Sequence, residues 1–262
     1  MRIATLNLNG VRSAISKGLI NFLSDQAFDC ILFQEMRLPK EHYPLPEFSS
    51  YIWLVSSAEK AGYSGVAILI RKDLLTSDYA LNVHSSFLDS IVANEGRFLS
   101  LSLEKYDIIN IYLPSGTSGP DRQNLKISCL DYLLHSPKTS NKPLIIGGDF
   151  NLTPDDRDLY HWKSNFEKPG CTLEERTLFR SWLKEWKLID SYRYLHTKTD
   201  CSHEEYSWWS ARVPSAFTSN RGWRIDMLLI SEQLARYCTQ YGFIREPRFS
   251  DHGIYWIELT DY

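Results

Sequence analysis

The chain has 262 residues, 43% of them hydrophobic, and a formal net charge of −3. This composition is typical of a globular protein. The net charge argues against a surface that is strongly basic overall and binds nucleic acid for that reason. A local basic face beside an acidic site is still compatible with a charge of −3. No window is long or apolar enough to span a membrane, and the N-terminus has no signal-peptide pattern, so a cytoplasmic protein is expected.

Apolar runs bounded by turn residues predict seven buried strands, at residues 3–6, 30–33, 66–70, 108–112, 144–146, 227–230 and 253–257. Helical periodicity predicts helices at about 16–26, 123–135 and 173–186, the last capped by Thr172. No Pro/Gly/Ser-rich linker interrupts the chain, so residues 1–262 are expected to form one α/β (α+β) domain. Long irregular stretches at 114–120, 151–170 and 207–221 are typical of functional loops.

The five cysteines are scattered and contain no CxxC pair. They are Cys30, Cys129, Cys171, Cys201 and Cys238. Neither a zinc site nor a disulfide framework is indicated, and free thiols are expected.

The segment Gly147-Gly148-Asp149-Phe150-Asn151 follows an apolar run that reads as a strand. Strand side chains repeat every two residues, so Asp149 and Asn151 are expected to point the same way, and the glycines permit close approach of another backbone or a ligand. Hard oxygen ligands there suit a magnesium-assisted phosphate site. A strand running into an Asx turn is the alternative interpretation.

Polar residues recur where the other predicted strands begin or end. They are Asn7, Asn9, Gln34, Glu35, Tyr112, Asp226, Asp251 and His252. Taken alone, each has a purely structural interpretation, as a solvated strand end, a turn residue or a histidine whose hydrogen bonds are satisfied within the fold. Together they supply oxygen ligands, a water-orienting carboxylate, a phenol and an imidazole, a set that fits metal-assisted phosphodiester hydrolysis.

Six motifs occur in an order that resembles the exonuclease III family of abasic-site endonucleases, within the endonuclease/exonuclease/phosphatase (DNase I-like) superfamily. The motifs span residues 6–12, 34–35, 112–114, 148–151, 222–226 and 250–252, and the resemblance covers nearly the whole chain. It implies a four-layer sandwich with two central mixed β-sheets flanked by helices. It also implies a magnesium-dependent DNA repair nuclease that cuts 5′ to abasic sites or processes 3′ ends.

The same resemblance implies roles for individual residues. Glu35 would ligate Mg²⁺, for which Mn²⁺ is expected to substitute, with Asn7 and Asp251 helping to fix the metal. Tyr112 would contact the phosphate or assist the leaving oxygen, and Asp149 would orient or deprotonate the attacking water. Asn151 would hold the scissile phosphate. His252, held by Asp226, would stabilise the charge that develops on the phosphate oxygens.

Residues that match substrate-contacting positions of the family form a further group. Trp208, Trp223 and Ile225 match the apolar positions that receive the baseless sugar, with a simple core role as the alternative. Lys163 and Arg212 are candidates for contacts to the DNA backbone, although a solvated surface charge is equally compatible with either. The implied partner is double-stranded DNA with abasic sites, nicks or blocked 3′ ends, bound by a monomer that makes no contact with a membrane.

The chain departs from the family pattern at three places. Met36 replaces a common threonine, and Ser115 replaces an asparagine expected near the phosphate. His161 and Trp162 replace an Asn-Pro pair, while Asn165 matches a second pocket asparagine. We hypothesise that the bulkier His161 narrows the sugar pocket and favours trimming of 3′ ends over incision at internal abasic sites.

Two other functions compete with this interpretation. One is a superfamily phosphoesterase that acts on RNA, a phospholipid or an inositol phosphate. Trp208 and the motif at 222–226 argue against it. The other is an inactive DNA-binding domain, which the chemically competent residue at every catalytic position argues against.

Overall fold

The computed structural model describes residues 1–38, 44–75, 83–85, 88, 90–92, 94–138, 141–196 and 204–260. Four of the five cysteines are buried free thiols, as expected. Cys201 lies outside the described residues.

Twelve strands occur in the described part of the chain. In chain order they are β1 (Arg2–Asn7), β2 (Cys30–Gln34), β3 (Tyr51–Ser56), β4 (Val66–Arg71), β5 (Val83–His84), β6 (Phe98–Ser102), β7 (Asp107–Tyr112), β8 (Leu144–Asp149), β9 (Leu188–Asp190), β10 (Asp226–Ser231), β11 (Cys238–Ile244) and β12 (Ile254–Leu259). All seven predicted strands are present, and β3, β5, β6, β9 and β11 were not predicted.

The strands form two mixed sheets of six. The first has the order β11-β12-β1-β2-β4-β3, and the second has the order β5-β6-β7-β8-β10-β9. Each sheet contains one parallel pair, β1 with β2 and β7 with β8, while its other neighbours are antiparallel.

Side-chain alternation along the strands explains the layering. In β2, Leu32 belongs to an apolar cluster shared by both sheets, whereas its neighbours Ile31 and Phe33 pack on the outer face of the first sheet. Successive strand side chains point to opposite faces, so a strand buried on both faces is apolar throughout. Three clusters result, one between the sheets and one beneath the helices on each outer face. This is the predicted four-layer sandwich.

Seven α-helices occur among the described residues. They are α1 (Val11–Ser16), α2 (Leu19–Asp25), α3 (Pro120–His135), α4 (Trp162–Asn165), α5 (Leu173–Trp186), α6 (Ser191–His196) and α7 (Ser215–Thr218). Within the described ranges, none of the helices has both the length and the apolar character needed to cross a membrane.

The predicted helix at about 16–26 corresponds to α2, which begins later, at Leu19, and ends at Asp25, whereas α1 was not predicted. Gly18 lies between α1 and α2 with φ of +90°, a left-handed conformation that ends one helix and starts the next. The prediction for α5 is confirmed. The Thr172 hydroxyl accepts from the Glu175 N–H at 3.2 Å, and the Glu175 carboxylate accepts from the Thr172 N–H at 3.0 Å.

Candidate active site

The register of the second sheet places three candidate residues in one row at its edge. Tyr112 at the end of β7 pairs with Asp149 at the end of β8, and Asp149 pairs with Asp226 at the start of β10. Asn7 ends β1 in the facing sheet, and its amide donates to Asp149 at 2.8 Å and to Glu35 at 3.0 Å. The Asn7 side chain therefore links the two sheets at this edge.

Gly148 allows β8 to lie against β7 just before Asp149. Its φ is +151°, and a Cβ at this position would be 1.8 Å from the Ile111 carbonyl oxygen. The close backbone approach inferred from the sequence is therefore present.

Asn151 forms the turn that follows. Its backbone is left-handed, with φ of +52°, and its N–H donates to Asp149 Oδ1 at 2.9 Å. The side-chain amide donates to Asp149 Oδ2 at 3.2 Å and to the Leu113 carbonyl at 3.0 Å. The Asx-turn interpretation therefore describes the local geometry, and the turn itself fixes the Asp149 carboxylate.

Glu35 follows β2 in a strained backbone conformation, with φ of +50°. Residues held in this region cluster at functional sites. Its carboxylate accepts from the Asn7 amide at 3.0 Å and the Tyr112 hydroxyl at 2.7 Å, and it pairs with Arg37. Burial opposes ionisation, yet the hydrogen bond from Asn7, the Arg37 charge and the Tyr112 hydroxyl together hold the pKa of Glu35 below its usual value.

Asp226 and His252 form a buried ion pair, with His252 Nδ1 2.8 Å from Asp226 Oδ2. Burial works against the charged imidazole, but the charge and hydrogen bond of Asp226 raise the pKa of His252 to about 10. His252 is thus an imidazolium at neutral pH. The Ser207 hydroxyl fixes the Asp226 backbone, because it accepts from the N–H groups of Ile225 at 3.1 Å and Asp226 at 3.0 Å.

Asp149 is a carboxylate suited to accepting a proton near neutral pH. Burial and the neighbouring charge of Asp226 raise its pKa to about 7, against the opposing effects of His252 and Asn7. A general base works best when its pKa lies near the operating pH. By contrast, burial raises the pKa of Tyr112 well above its usual value, so the phenol remains a donor.

Asp251 precedes the histidine and faces the same cleft. Its carboxylate accepts from the Asn9 amide at 2.9 Å and from the Trp208 indole N–H at 3.0 Å. Burial opposes ionisation, but the His252 charge and these hydrogen bonds lower the pKa of Asp251.

A cleft of about 510 Å³ opens above these groups. Ser115, Arg212, Trp208, Trp223 and Ile225 line it, as do the catalytic candidates Glu35, Tyr112, Asp149, Asn151, Asp251 and His252. The rings of Trp208 and Trp223 are nearly perpendicular, with centroids 6.0 Å apart. A wider groove of about 1180 Å³ between α3 and α5 contains none of these groups, so chemistry rather than size identifies the site.

Five sequence-based candidates do not line the cleft. Asn7 and Asp226 are buried and bonded to the lining residues Glu35 and His252, and the other three lie between β8 and α5. His161 and Lys163 are exposed on the loop between β8 and α5, and the His161 ring packs edge-on against Tyr160 at 4.5 Å. The Asn165 amide donates to the His161 carbonyl at 2.8 Å within the same loop. Direct narrowing of the cleft by His161 would require the loop to move when DNA binds, and that hypothesis stays a prediction.

The donor set suits a divalent cation with a preference for oxygen ligands. The Glu35 and Asp251 carboxylates, both with lowered pKa, line one cleft, and Asn7 bonds directly to Glu35. Among the described residues, Asp149, Asp226 and His252 also present ligand atoms within 4.8 Å of one another. A histidine ligates a metal only when neutral, so the charged His252 suits proton and charge chemistry better than coordination.

Several residues of the site carried no strong signal in the sequence. Arg37, Pro169 and Ser210 line the cleft. Lys126, in α3, donates to the Asn151 carbonyl at 2.9 Å, and no motif in the sequence marks it. Only Arg37 could have been inferred from the sequence, because it lies two residues after the predicted metal ligand Glu35.

The site combines a carboxylate suited to accepting a proton, an imidazolium and hard oxygen ligands at the edge of a two-sheet sandwich. This combination defines a class of protein, the phosphoester hydrolases. The model of the Endonuclease/Exonuclease/phosphatase family matches residues 4–252, and the chain belongs to that family.

Individual relatives agree with this assignment. The chain is 29% identical over 258 residues to an exodeoxyribonuclease of Bacillus subtilis (strain 168), covering 96% of each chain. It is 28% identical over 241 residues to a DNA-(apurinic or apyrimidinic site) endonuclease of Dictyostelium discoideum, covering 89% of this chain and 63% of the relative. The structure of a 3′-5′ exonuclease from Neisseria meningitidis superposes with a TM-score of 0.85 at 25% identity, over the full length of both chains. The predicted family and fold class are confirmed.

Proposed function

We propose that this chain is a magnesium-dependent DNA repair nuclease of the exonuclease III type. It hydrolyses phosphodiester bonds in double-stranded DNA 5′ to abasic sites or at nicked and blocked 3′ ends. One observation carries the proposal. The Asn7 amide joins Glu35 and Asp149, while His252 faces the same cleft, so a metal ligand, a base and a cation converge. The names of the relatives, an exodeoxyribonuclease and an abasic-site endonuclease, support DNA as the substrate.

The residues divide the reaction among them. Asp149 orients the attacking water and accepts its proton, which a pKa of about 7 permits. Asn151 and the Tyr112 hydroxyl contact the phosphate, and the His252 imidazolium, held by Asp226, stabilises the negative charge that develops on its oxygens. Glu35, with Asn7 and Asp251, would hold Mg²⁺, which supplies further positive charge for the phosphate.

The walls of the cleft select the sugar. Trp208, Trp223 and Ile225 offer apolar surface next to the catalytic groups, suited to a deoxyribose that has lost its base. Arg212 on the same wall suits a backbone phosphate. All of these groups come from one chain, which supports a single domain over residues 1–262 acting as a monomer, and sedimentation at working concentrations tests that state.

The test uses two substrates, an internal abasic duplex and a nicked duplex with a blocked 3′ terminus. Hydrolysis is expected with Mg²⁺ or Mn²⁺ and is expected to stop with EDTA and in Asp149→Asn, while DNA binding persists. Loss of binding together with activity, or phosphate release from inositol phosphates instead, would contradict the proposal.

His161→Gly on the same two substrates tests the loop hypothesis, because an unchanged ratio of incision to 3′-end trimming would exclude a role for His161.

A further inference from the structure

Large apolar side chains that remain exposed are concentrated beside the cleft. Among the described residues six are exposed, and four of them lie in the two loops that border the cleft, at 151–170 and 207–221. The four are Tyr160, Trp162, Phe166 and Val213. Trp162 is 36% exposed and Phe166 is 53% exposed. Exposed aromatic groups that gather in one place indicate a contact surface rather than scattered surface hydrophobicity.

Three of these side chains belong to residues 160–168, which we term the rim segment. Its first end is fixed to the cleft wall, because Leu159 bridges to Trp223 and the Tyr160 N–H donates to the Gly222 carbonyl at 3.1 Å. Its other end runs into Pro169, which lines the cleft. The rim segment therefore begins and ends at the wall of the candidate active site.

The charges of the rim segment favour a polyanion. Lys163 and Lys168 are exposed, and the Lys163 ammonium lies 5.8 Å from the centre of the Trp162 ring. Glu167 is the opposing charge within the segment. Aromatic side chains interleaved with cations are typical of surfaces that bind single-stranded nucleic acid, because bases stack on the rings while the cations contact phosphates.

We propose that the rim segment is a stacking surface for unpaired nucleobases next to the hydrolysed phosphodiester, with Trp162 and Phe166 as the contacting rings. The inference rests on the proposed nuclease function and specifies its substrate. DNA ends that carry or readily form unpaired nucleotides bind more tightly than fully paired ends. Both ends of the segment adjoin the cleft wall, so the two rings belong to a stretch of chain that borders the site.

The test measures DNA binding by fluorescence anisotropy in EDTA, so that no hydrolysis occurs. The substrates are a blunt duplex and the same duplex with a short unpaired tail. In the variant that combines Trp162→Ala with Phe166→Ala, affinity for the tailed duplex is expected to fall about 5- to 150-fold per stacked base lost, with little change for the blunt duplex. Trp162→Phe is expected to retain most of the affinity, because a phenyl ring still stacks.

Two controls separate stacking from other effects. Leu173→Ala removes an exposed apolar side chain outside both loops and is expected to bind both duplexes as the wild type does. Lys163→Ala is expected to reduce the slope of log affinity against log salt by about one, whereas the aromatic variants are expected to leave that slope unchanged.

Equal losses on the tailed and blunt duplexes would overturn the proposal, and so would unchanged binding in the double aromatic variant. Self-association that disappears in that variant would instead identify a second copy of the chain as the partner, which also overturns it. A protein that never hydrolyses DNA but keeps the aromatic-dependent preference for tails would refute the proposed nuclease and leave this inference standing.

Discussion

The Asp226–His252 pair makes a residue-scale prediction about charge. Asp226→Asn retains the shape of the side chain but removes the anion that sustains the His252 imidazolium, and the backbone bonds to Ser207 remain. We expect kcat on an abasic duplex to fall about 100-fold or more, with DNA affinity largely retained. Steady-state kinetics and anisotropy measure the two effects. Asp155→Asn is the control, because it alters a carboxylate outside the cleft lining. A wild-type kcat in Asp226→Asn would contradict the role of Asp226 in keeping His252 charged.

Gly147 and Gly148 make a second prediction at this scale, because they are adjacent and differ in what surrounds them. A Cβ at Gly148 would meet the Ile111 backbone in a left-handed conformation, whereas a Cβ at Gly147 would meet the methyl groups of Leu32 and Leu228 at 2.5 and 2.6 Å. Side-chain methyl groups can shift, but a paired backbone cannot. Gly147→Ala is expected to cost about 1–3 kcal/mol of unfolding free energy, and Gly148→Ala more than that. Urea denaturation measures both, and the reverse order would be inconsistent with the close packing of β8 on β7 at Ile111.

At the scale of elements, one buried ion pair joins α3 and α5 to the turn that contains Asn151. Lys126 and Glu175 are fully buried, with Nζ 2.6 Å from Oε1, and Lys126 also donates to the Asn151 carbonyl. The Glu175 carboxylate accepts from the Gly170 N–H at 2.9 Å and from the Thr172 hydroxyl at 2.9 Å. Although burial opposes it, the Lys126 charge and these donors lower the pKa of Glu175. The pair therefore holds the catalytic turn and the start of α5 in fixed positions.

Removing one member of this pair leaves the other charge buried without a partner. Lys126→Met is expected to lower the free energy of unfolding by about 3–5 kcal/mol, measured by denaturant titration. Combining Lys126→Met with Glu175→Leu is expected to restore much of that loss, because neither charge is then buried. A double variant that is less stable than Lys126→Met alone would contradict this expectation, and would show that losing the Glu175 bonds to Gly170 and Thr172 costs more than burying its unpaired charge.

Local signals were sufficient for some elements and insufficient for others. The strands buried on both faces, such as β8 and β10, have continuous apolar runs that predict them directly. The strand β11 lies at a sheet edge, is exposed or only partly buried after Cys238 and includes polar residues, so only its pairing with β12 defines it. The start of α2 depends on the left-handed conformation of Gly18, which periodicity does not reveal.

At the scale of the whole molecule, the site depends on contacts that sequence spacing cannot specify. Asn7 and Asp149 are 142 positions apart and belong to different sheets, yet their side chains are hydrogen-bonded. Strand-end positions predicted which polar residues were candidates and that they converge on one pocket, and the family resemblance predicted their individual roles. Neither indicated supporting groups such as Ser207 and Lys126, because their roles arise from tertiary packing around ordinary residue types.

The linkage between folding and pH provides a whole-molecule prediction at Glu95. Its carboxylate accepts from Arg97 Nε at 2.6 Å and Arg122 Nη1 at 2.8 Å, joining the segment before β6 to α3. Burial opposes ionisation, but the hydrogen bonds from Arg122 and Arg97 lower the pKa of Glu95 to about 2, from an ordinary value of 4.5. A depressed folded-state pKa contributes stability that is fully present above about pH 4.5 and is lost as the pH falls toward 2.

Glu95→Gln is therefore expected to cost roughly 2 kcal/mol of unfolding free energy at pH 7, after allowance for partial exposure. That cost is expected to shrink steadily below about pH 4.5. Urea titrations of both proteins from pH 7 downward measure the difference, with the exposed Glu104→Gln as the matched control. A difference that stays constant, or grows, as the pH falls would mean that these two arginines do not stabilise the Glu95 carboxylate in the folded protein.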